Sequence, residues 1–254
     1  MTTVGLKRVR CIVCGWRGEK SVILSTSSFG PPGLDLRPPP PHGSSVDLWV
    51  MDCPQCGYCA PDISEPIDIG DPSGSAGGTL DDAVDRRDAW RRVVRKLMSD
   101  GRYHAPFGVK DAVPQEAVTH LRCGVLELAG GRSADAGNSA LRAAWICDDN
   151  AASSVGDDPR DVAAQCRRAA LGLFQQAREA HQPFATDRIH EELLLIDLLR
   201  RTGDFVVAAE RLSDLPRAIH DEERAIAVRQ QGWVALQDRA AHHAQERPPE
   251  ASVR

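Results

Sequence analysis

The sequence lacks any apolar run long enough to cross a bilayer. A membrane helix needs about 20 consecutive apolar residues, and the longest strongly apolar stretch of the 254-residue chain is Leu193-Leu194-Leu195-Ile196. A transmembrane helix is excluded. Lys7, Arg8 and Arg10 interrupt the start before an apolar core forms, so no secretory signal is read and the expected location is the cytoplasm. A surplus of basic charge is missing too. Lys and Arg number 31 against 36 Asp and Glu, a formal net charge of -5, whereas a dedicated nucleic-acid binder carries a basic domain. The common catalytic signatures are absent. His190-Glu191-Glu192 starts like His-Glu-x-x-His, but position 194 is Leu, so the second metal ligand is missing. The glycine-rich stretch 70–78 is not followed by Gly-Lys-Ser/Thr, and no Gly-x-Ser-x-Gly elbow occurs. The expectation is a protein that is not an enzyme.

Against these absences stand eight cysteines. Four of them form two identical motifs, Cys11-Ile12-Val13-Cys14-Gly15 and Cys53-Pro54-Gln55-Cys56-Gly57. Two residues between cysteines let both sulfurs of one turn reach the same ion, and Gly after the second cysteine suits a tight turn at positive φ. Paired Cys-x-x-Cys knuckles are metal spacing rather than a disulfide framework, and cytosolic thiols stay reduced. Cys11, Cys14, Cys53 and Cys56 are therefore expected to hold one Zn²⁺ per chain, with iron in a rubredoxin-like site as the alternative. Four sulfur ligands leave no position open for water, so the ion is structural. Lys7, Arg8, Arg10, Arg17 and Lys20 flank the first knuckle and are placed to offset the formal double negative charge of a zinc tetrathiolate. Cys59, three residues after Cys56, is read as a small, partly buried residue, with a competing ligand or a reactive thiol as its other roles.

The length is enough for two domains. Residues 1–60 read as a zinc ribbon with strands at Lys7–Cys11, Ser21–Ser25 and Val46–Cys53, and with an extended proline-rich loop from Phe29 to Gly43. Residues 61–78 read as a flexible linker, 79–240 as an all-α domain, and 241–254 as a disordered tail. The fold class is thus mainly α, a small N-terminal β module followed by helices. Thr79-Leu80-Asp81-Asp82 resembles a capping box, and Trp90, Val93, Val94, Leu97 and Met98 share one helical face. Further helices are expected near 113–129, 134–148, 160–181, 187–201, 204–214 and 218–240. Asp148-Asp149 and Asp157-Asp158 read as helix ends rather than calcium loops. Cys123, Cys147 and Cys166, with Trp90, Trp145 and Trp233, read as packing residues.

Leu195, Ile196, Leu199, Gly203, Asp204, Phe205, Ala208, Leu212 and Leu215 have the spacing of a tetratricopeptide helix pair, echoed more weakly by Gly124, Gly131, Ala136, Ala140 and Ala143. The interval between the two is not a clean multiple of the repeat, and a generic bundle shares the same local signals. A stacked array would leave a concave face on which the helical half docks a protein partner. Arg86, Arg87, Arg91, Arg92, Arg95, Arg167 and Arg168 suit an acidic one. The function expected is a non-enzymatic zinc-binding adaptor. Its rivals are a nucleic-acid-associated ribbon using the basic cluster at 7–20, and a thiol redox sensor using Cys59. No membrane partner is expected.

The chain also resembles an uncharacterised bacterial family, domain of unknown function twenty-two twenty-five. Its members join a Cys-x-x-Cys and Cys-Pro-x-Cys-Gly-Tyr metal module to tetratricopeptide-like helices. Cys11, Cys14, Cys53, Pro54, Cys56, Gly57 and Tyr58 carry the resemblance, with Asp47-Leu48-Trp49-Val50 and Leu141-Arg142-Ala143-Ala144-Trp145. It implies the four zinc ligands residue by residue and no activity. The chain departs from the pattern at Cys59, where Ala is expected, and in its proline-rich loop.

Overall fold

The structure is a computed structural model that describes residues 1–68, 80–109, 113–150, 159–216 and 220–249. It is mainly α, with a small β module near the N-terminus. Contacts divide the chain into two compact units, Thr2–Ser25 with Ser45–Gln182, and Thr26–Ser44 with Pro183–Arg254. This division cuts across the expected succession of ribbon, linker, helices and tail. The capping box at Thr79 and the pair Asp157-Asp158 lie outside the described residues.

In the first unit, β1 (Thr3–Arg10) and β2 (Arg17–Ser25) form an antiparallel hairpin with Lys7 opposite Lys20. The strand expected at Val46–Cys53 shrinks to β3 (Met51–Asp52), paired with β4 (Cys59–Ala60). Ahead of it Gly43–Leu48 is a 3₁₀ helix, closed by the Trp49 N–H on the Val46 carbonyl at 3.1 Å. Val46 and Val50 are both buried four residues apart. Val46 lies in the 3₁₀ turn and Val50 in the bend after it, so no strand links them.

The helices of this unit are α1 (Leu80–Met98), the single turn α2 (Gly101–His104), α3 (Gln115–Ala129), α4 (Ser133–Asn150) and α5 (Pro159–Glu179). α1 buries Trp90 and Val94, while Val93 lies at the margin of that stripe and is 38% exposed. α4 packs against both α3 and α5. Ala136, Ala140 and Ala143 are fully buried along it. At Gly137 a Cβ would stand 2.6 Å from the Phe174 ring, so only glycine lets α5 come this close. Cys123, Cys147 and Cys166 are buried, as their apolar neighbours suggest, and Trp145 meets Trp49 edge to face at 6.4 Å.

The residues expected to be a linker are partly core. Ile63 and Ile67 are buried in one cluster with Val9, Tyr58, Trp90 and Leu126. The Trp90 indole donates to the Ile67 carbonyl at 3.0 Å, and the Ile67 N–H donates to the Tyr58 hydroxyl at 2.9 Å. Apolar residues at 63 and 67, among Pro, Ser and Asp, anchor the chain where composition alone suggests a spacer.

The second unit contains α6 (Arg188–Thr202), α7 (Phe205–Ser213) and α8 (Asp221–Ala235). Gly203, at φ +92°, ends α6 in the left-handed conformation that glycine adopts freely. Ala208 packs with Ile196 and Val234, flanked by Leu199, Phe205, Leu212 and Leu215. Apart from Val234 of α8, these positions are among those the sequence spacing picks out, and their packing is that of a helix pair, which a bundle shares. The tail departs from expectation. The Leu34 N–H donates to the His242 carbonyl and the Ala244 N–H to the Pro32 carbonyl, each at 3.0 Å. His242 stacks on Trp233 at 3.6 Å between ring centroids. Residues 242–244 are thus held by the proline-rich loop, which donates one backbone hydrogen bond to them and accepts another.

Candidate metal centre

The two knuckles are built alike. In the first, the Cys11 N–H donates to the Trp16 carbonyl and the Gly15 N–H to the Cys11 carbonyl, each at 2.8 Å. In the second, the Cys53 N–H meets the Tyr58 carbonyl at 2.8 Å and the Gly57 N–H the Cys53 carbonyl at 2.7 Å. Gly15 and Gly57 sit at φ +82° and +75°. The positive-φ role expected of both glycines is met.

These turns bring four sulfurs together, all within 4.8 Å of one another. Across the knuckles, Cys11 Sγ is 3.7 Å from Cys56 Sγ and Cys14 Sγ is 3.6 Å from Cys53 Sγ. Sulfurs at tetrahedral corners 2.3 Å from one ion stand about 3.8 Å apart, whereas a disulfide holds them at about 2 Å. The spacing is that of a metal tetrahedron. Cys11 and Cys53 are buried, and Cys14 and Cys56 are half-buried.

Burial and hydrogen bonding shift the thiols of this cluster in opposite directions. Burial pushes the Cys11 thiol up, partly offset by the backbone N–H groups of Cys14 and Val13. Burial likewise pushes Cys56 up against the N–H of Tyr58. At Cys14 burial acts upward too, but the Trp16 N–H and the neighbouring sulfurs outweigh it and the net shift is down. The four residues make a tetra-cysteine site suited to a metal ion such as zinc.

The basic residues expected to balance the thiolates are largely committed elsewhere. Lys7 pairs with Asp62, Lys20 with Asp52 at 2.8 Å, and Arg8 approaches Glu19 at 3.6 Å. The cations that touch the first knuckle come from α1 instead. Arg91 Nε donates to the Ile12 carbonyl and Arg95 Nη2 to the Val13 carbonyl, each at 2.8 Å. The second knuckle is held by Tyr103, whose hydroxyl donates to the Gly57 carbonyl at 2.6 Å. Sequence spacing gave no hint of Tyr103. For the arginines a signal existed, since 87, 91 and 95 repeat every four residues along one side of α1.

Cys59 does not join the cluster. It is fully buried, and burial pushes its thiol up to about 12. A sensor thiol is exposed and has a depressed pKa, so Cys59 lacks what that role needs. Arg167, counted among docking arginines, is buried and ion-paired with Asp148.

A second group of potential ligands joins the starts of α6 and α8, namely Asp187, His190 and Glu223. Each carboxylate is already a helix cap. Asp187 accepts from the Ile189 and His190 N–H groups, and Glu223 from the His220 N–H. His190 Nδ1 is 2.8 Å from Asp187. The incomplete His-Glu-x-x-His at His190 is therefore part of a capping arrangement. Among the described residues, no helix is long and apolar enough to cross a membrane. No protein-family model, curated protein or solved structure matches the chain.

Proposed function

We propose that this protein is a cytoplasmic, non-enzymatic adaptor in which one structural zinc fixes the N-terminal module and the helical part docks a protein partner. The observation that carries it is the continuity of the metal site with the core. Cys11 and Cys53 lie in the same buried cluster as Trp90, Tyr103 and Leu126 of α1, α2 and α3. An ion in that position orders a framework. A catalytic zinc would keep a fourth position open for water, and four cysteines fill it. All the cysteines are free thiols, which suits a reducing compartment. The family resemblance, with its zinc ribbon joined to tetratricopeptide-like helices, points the same way.

The test begins with plasma mass spectrometry on protein purified without added metal. About one zinc per chain is expected from a single tetrathiolate site, and iron or no metal would refute it. Cys53→Ser should lose the metal, and Cys59→Ser should keep it.

A further inference from the structure

We infer that the cleft between the first knuckle and α1 binds an acidic peptide segment. This deepens the adaptor reading, on which it rests, by naming the partner's chemistry and where it docks. The cleft has a volume of about 690 Å³. Five arginines line it, Arg10 from the end of β1 and Arg87, Arg91, Arg92 and Arg95 from α1. Among the described residues, Asp88 is the only acidic one on its wall. Asp88 is occupied by Arg91, 2.8 Å away. Even with the formal double negative charge of a zinc tetrathiolate close by, positive charge remains in excess.

The arginines differ in role. In a knuckle, backbone N–H groups turn toward the sulfurs, as those of Val13 and Cys14 do toward Cys11. The Ile12 and Val13 carbonyls are taken by Arg91 and Arg95. Those bonds fix two guanidinium groups in place, with further N–H donors on each. Arg87, Arg92 and Arg10 are exposed around them. A charged cleft with an immobilised floor is preorganised for anions, because less side-chain entropy is lost when the ligand arrives.

Two features favour peptide carboxylates over a nucleic-acid backbone. Single-strand binders stack bases on aromatic rings, and among the described residues no aromatic one lines this cleft. The second is spacing. Arg87, Arg91 and Arg95 follow one another every four residues, a rise of about 6 Å per step along the helix. Alternate side chains of an extended peptide are about 6.6 Å apart. Acidic residues at every second position therefore meet successive guanidinium groups, of which the exposed Arg87 can take a carboxylate through two hydrogen bonds while Arg91 and Arg95 offer their remaining N–H donors.

The experiment uses the zinc-loaded full chain and a fluorescein-labelled alternating Glu–Ser peptide, read by fluorescence polarisation. Binding should weaken as salt rises. The double variant Arg87→Glu/Arg92→Glu should lose about tenfold or more in affinity. It should keep its zinc and circular dichroism, because neither side chain holds the knuckle. Arg168→Glu, exposed on α5, should bind like the parent, and a Gln–Ser peptide should not bind. Equal loss with Arg168→Glu would reduce the effect to bulk charge and overturn the cleft. Tighter binding of oligothymidylate than of the peptide would overturn it in favour of nucleic acid. A zinc-loaded chain that ignores the peptide would remove the cleft and leave the adaptor reading standing, whereas a chain without zinc would remove the adaptor reading itself.

Discussion

Among the largest fully buried side chains, Tyr58, Tyr103, Ile63 and Leu126 belong to the metal-bearing unit, and Arg200 belongs to the unit of α6–α8. The first unit builds its interior from sulfur, rings and aliphatic carbon around a metal site. The second also buries aliphatic carbon, at Leu194, Leu195, Ile196 and Leu198, but sets the Arg200 guanidinium among it. Arg200 Nη2 donates to Asp197 at 2.7 Å and to the Ala240 carbonyl at 2.9 Å, and Arg200 also donates to the Asp238 carbonyl. Arg201 reaches Asp35 at 3.2 Å. Both devices tie irregular chain to regular elements. An ion held by the four cysteines would do so for the two knuckles, and the arginines do so for the tail after α8 and the proline-rich loop. They differ in what their loss does. Removing a metal leaves like charges to repel or to protonate. Removing one member of a buried ion pair leaves its partner as an uncompensated charge.

The largest break in the comparison is metal removal. Structural zinc contributes about 10–16 kcal/mol of apparent binding free energy in small modules. Chelation should therefore abolish hydrogen-exchange protection in β1–β4 and lower it in α1–α3, whose core includes the knuckle cysteines. Protection in α6–α8 should persist. Exchange measured with and without chelator decides this. If α6–α8 lose protection in the same step, the two units are one cooperative body.

The converse break is Arg200→Met. It leaves the Asp197 carboxylate buried without its ion-pair partner, which costs about 3–5 kcal/mol. Protection should fall in α6 and in residues 236–249 while zinc content stays unchanged. Adding Asp197→Leu should recover much of the loss, since a buried pair replaced by apolar side chains is often close to neutral. Failure of the double variant to recover would mean that the carbonyl contacts at Asp238 and Ala240, rather than the ion pair, carry the effect.

The contrast between the units also explains which parts of the molecule were legible in the sequence. The knuckles were legible because coordination chemistry restricts residue type and spacing together. No comparable rule exists for Arg200 or Arg201, whose partners lie at Asp35, Asp238 and Ala240, up to 166 residues away in sequence. Seven of the helices are legible from apolar spacing and glycine breaks. Observed bounds such as 188–202 and 205–213 lie within a residue of those expected. The strand at Val46–Cys53 is not, because alternating apolar residues there belong to a 3₁₀ turn and a bend before the short β3. The described parts of the expected linker and tail, 61–68 and 241–249, depart from expectation for one reason, and the rest of both stretches lies outside the described residues. Composition reports average polarity, while Ile63, Ile67 and Ala244 are single apolar anchors within polar stretches.

A smaller test sharpens the comparison through pH. His120 is buried in α3, and its Nε2 lies 2.9 Å from the Val46 carbonyl. Burial lowers its pKa to about 4, with the Arg142 charge adding to the shift and the carbonyl opposing it. A histidine whose folded pKa lies below its unfolded value of about 6.5 contributes stability that is present above the unfolded value. That contribution is lost as pH falls from about 6.5 toward about 4, where it amounts to about 3 kcal/mol. Acid also protonates the metal thiolates, so the informative quantity is the difference between parent and His120→Gln. The parent should lose stability more steeply across that window. Parallel profiles would mean that the ring is not held neutral by the fold.

The smallest effect is expected at Tyr103→Phe, which asks whether the second knuckle needs α2 as the first needs α1. The phenol donates to the Gly57 carbonyl at 2.6 Å, and the ring is covered by Arg122, 5.5 Å from its centroid. Phenylalanine keeps the ring and removes only the donor. The Gly57 carbonyl still accepts the Cys59 thiol at 3.3 Å, so it is not orphaned. The cost should then be that of an ordinary hydrogen bond, about 1 kcal/mol, rather than that of a buried unpaired acceptor. Denaturant unfolding should show a small shift in midpoint at unchanged slope, with one zinc still bound. Cys59→Ala combined with Tyr103→Phe leaves the carbonyl without either donor and should cost more than the two single changes added together, as contacting sites that share a partner do. Additive losses would show that water reaches Gly57, and loss of zinc from Tyr103→Phe alone would show that the second knuckle depends on α2 for its ligand geometry.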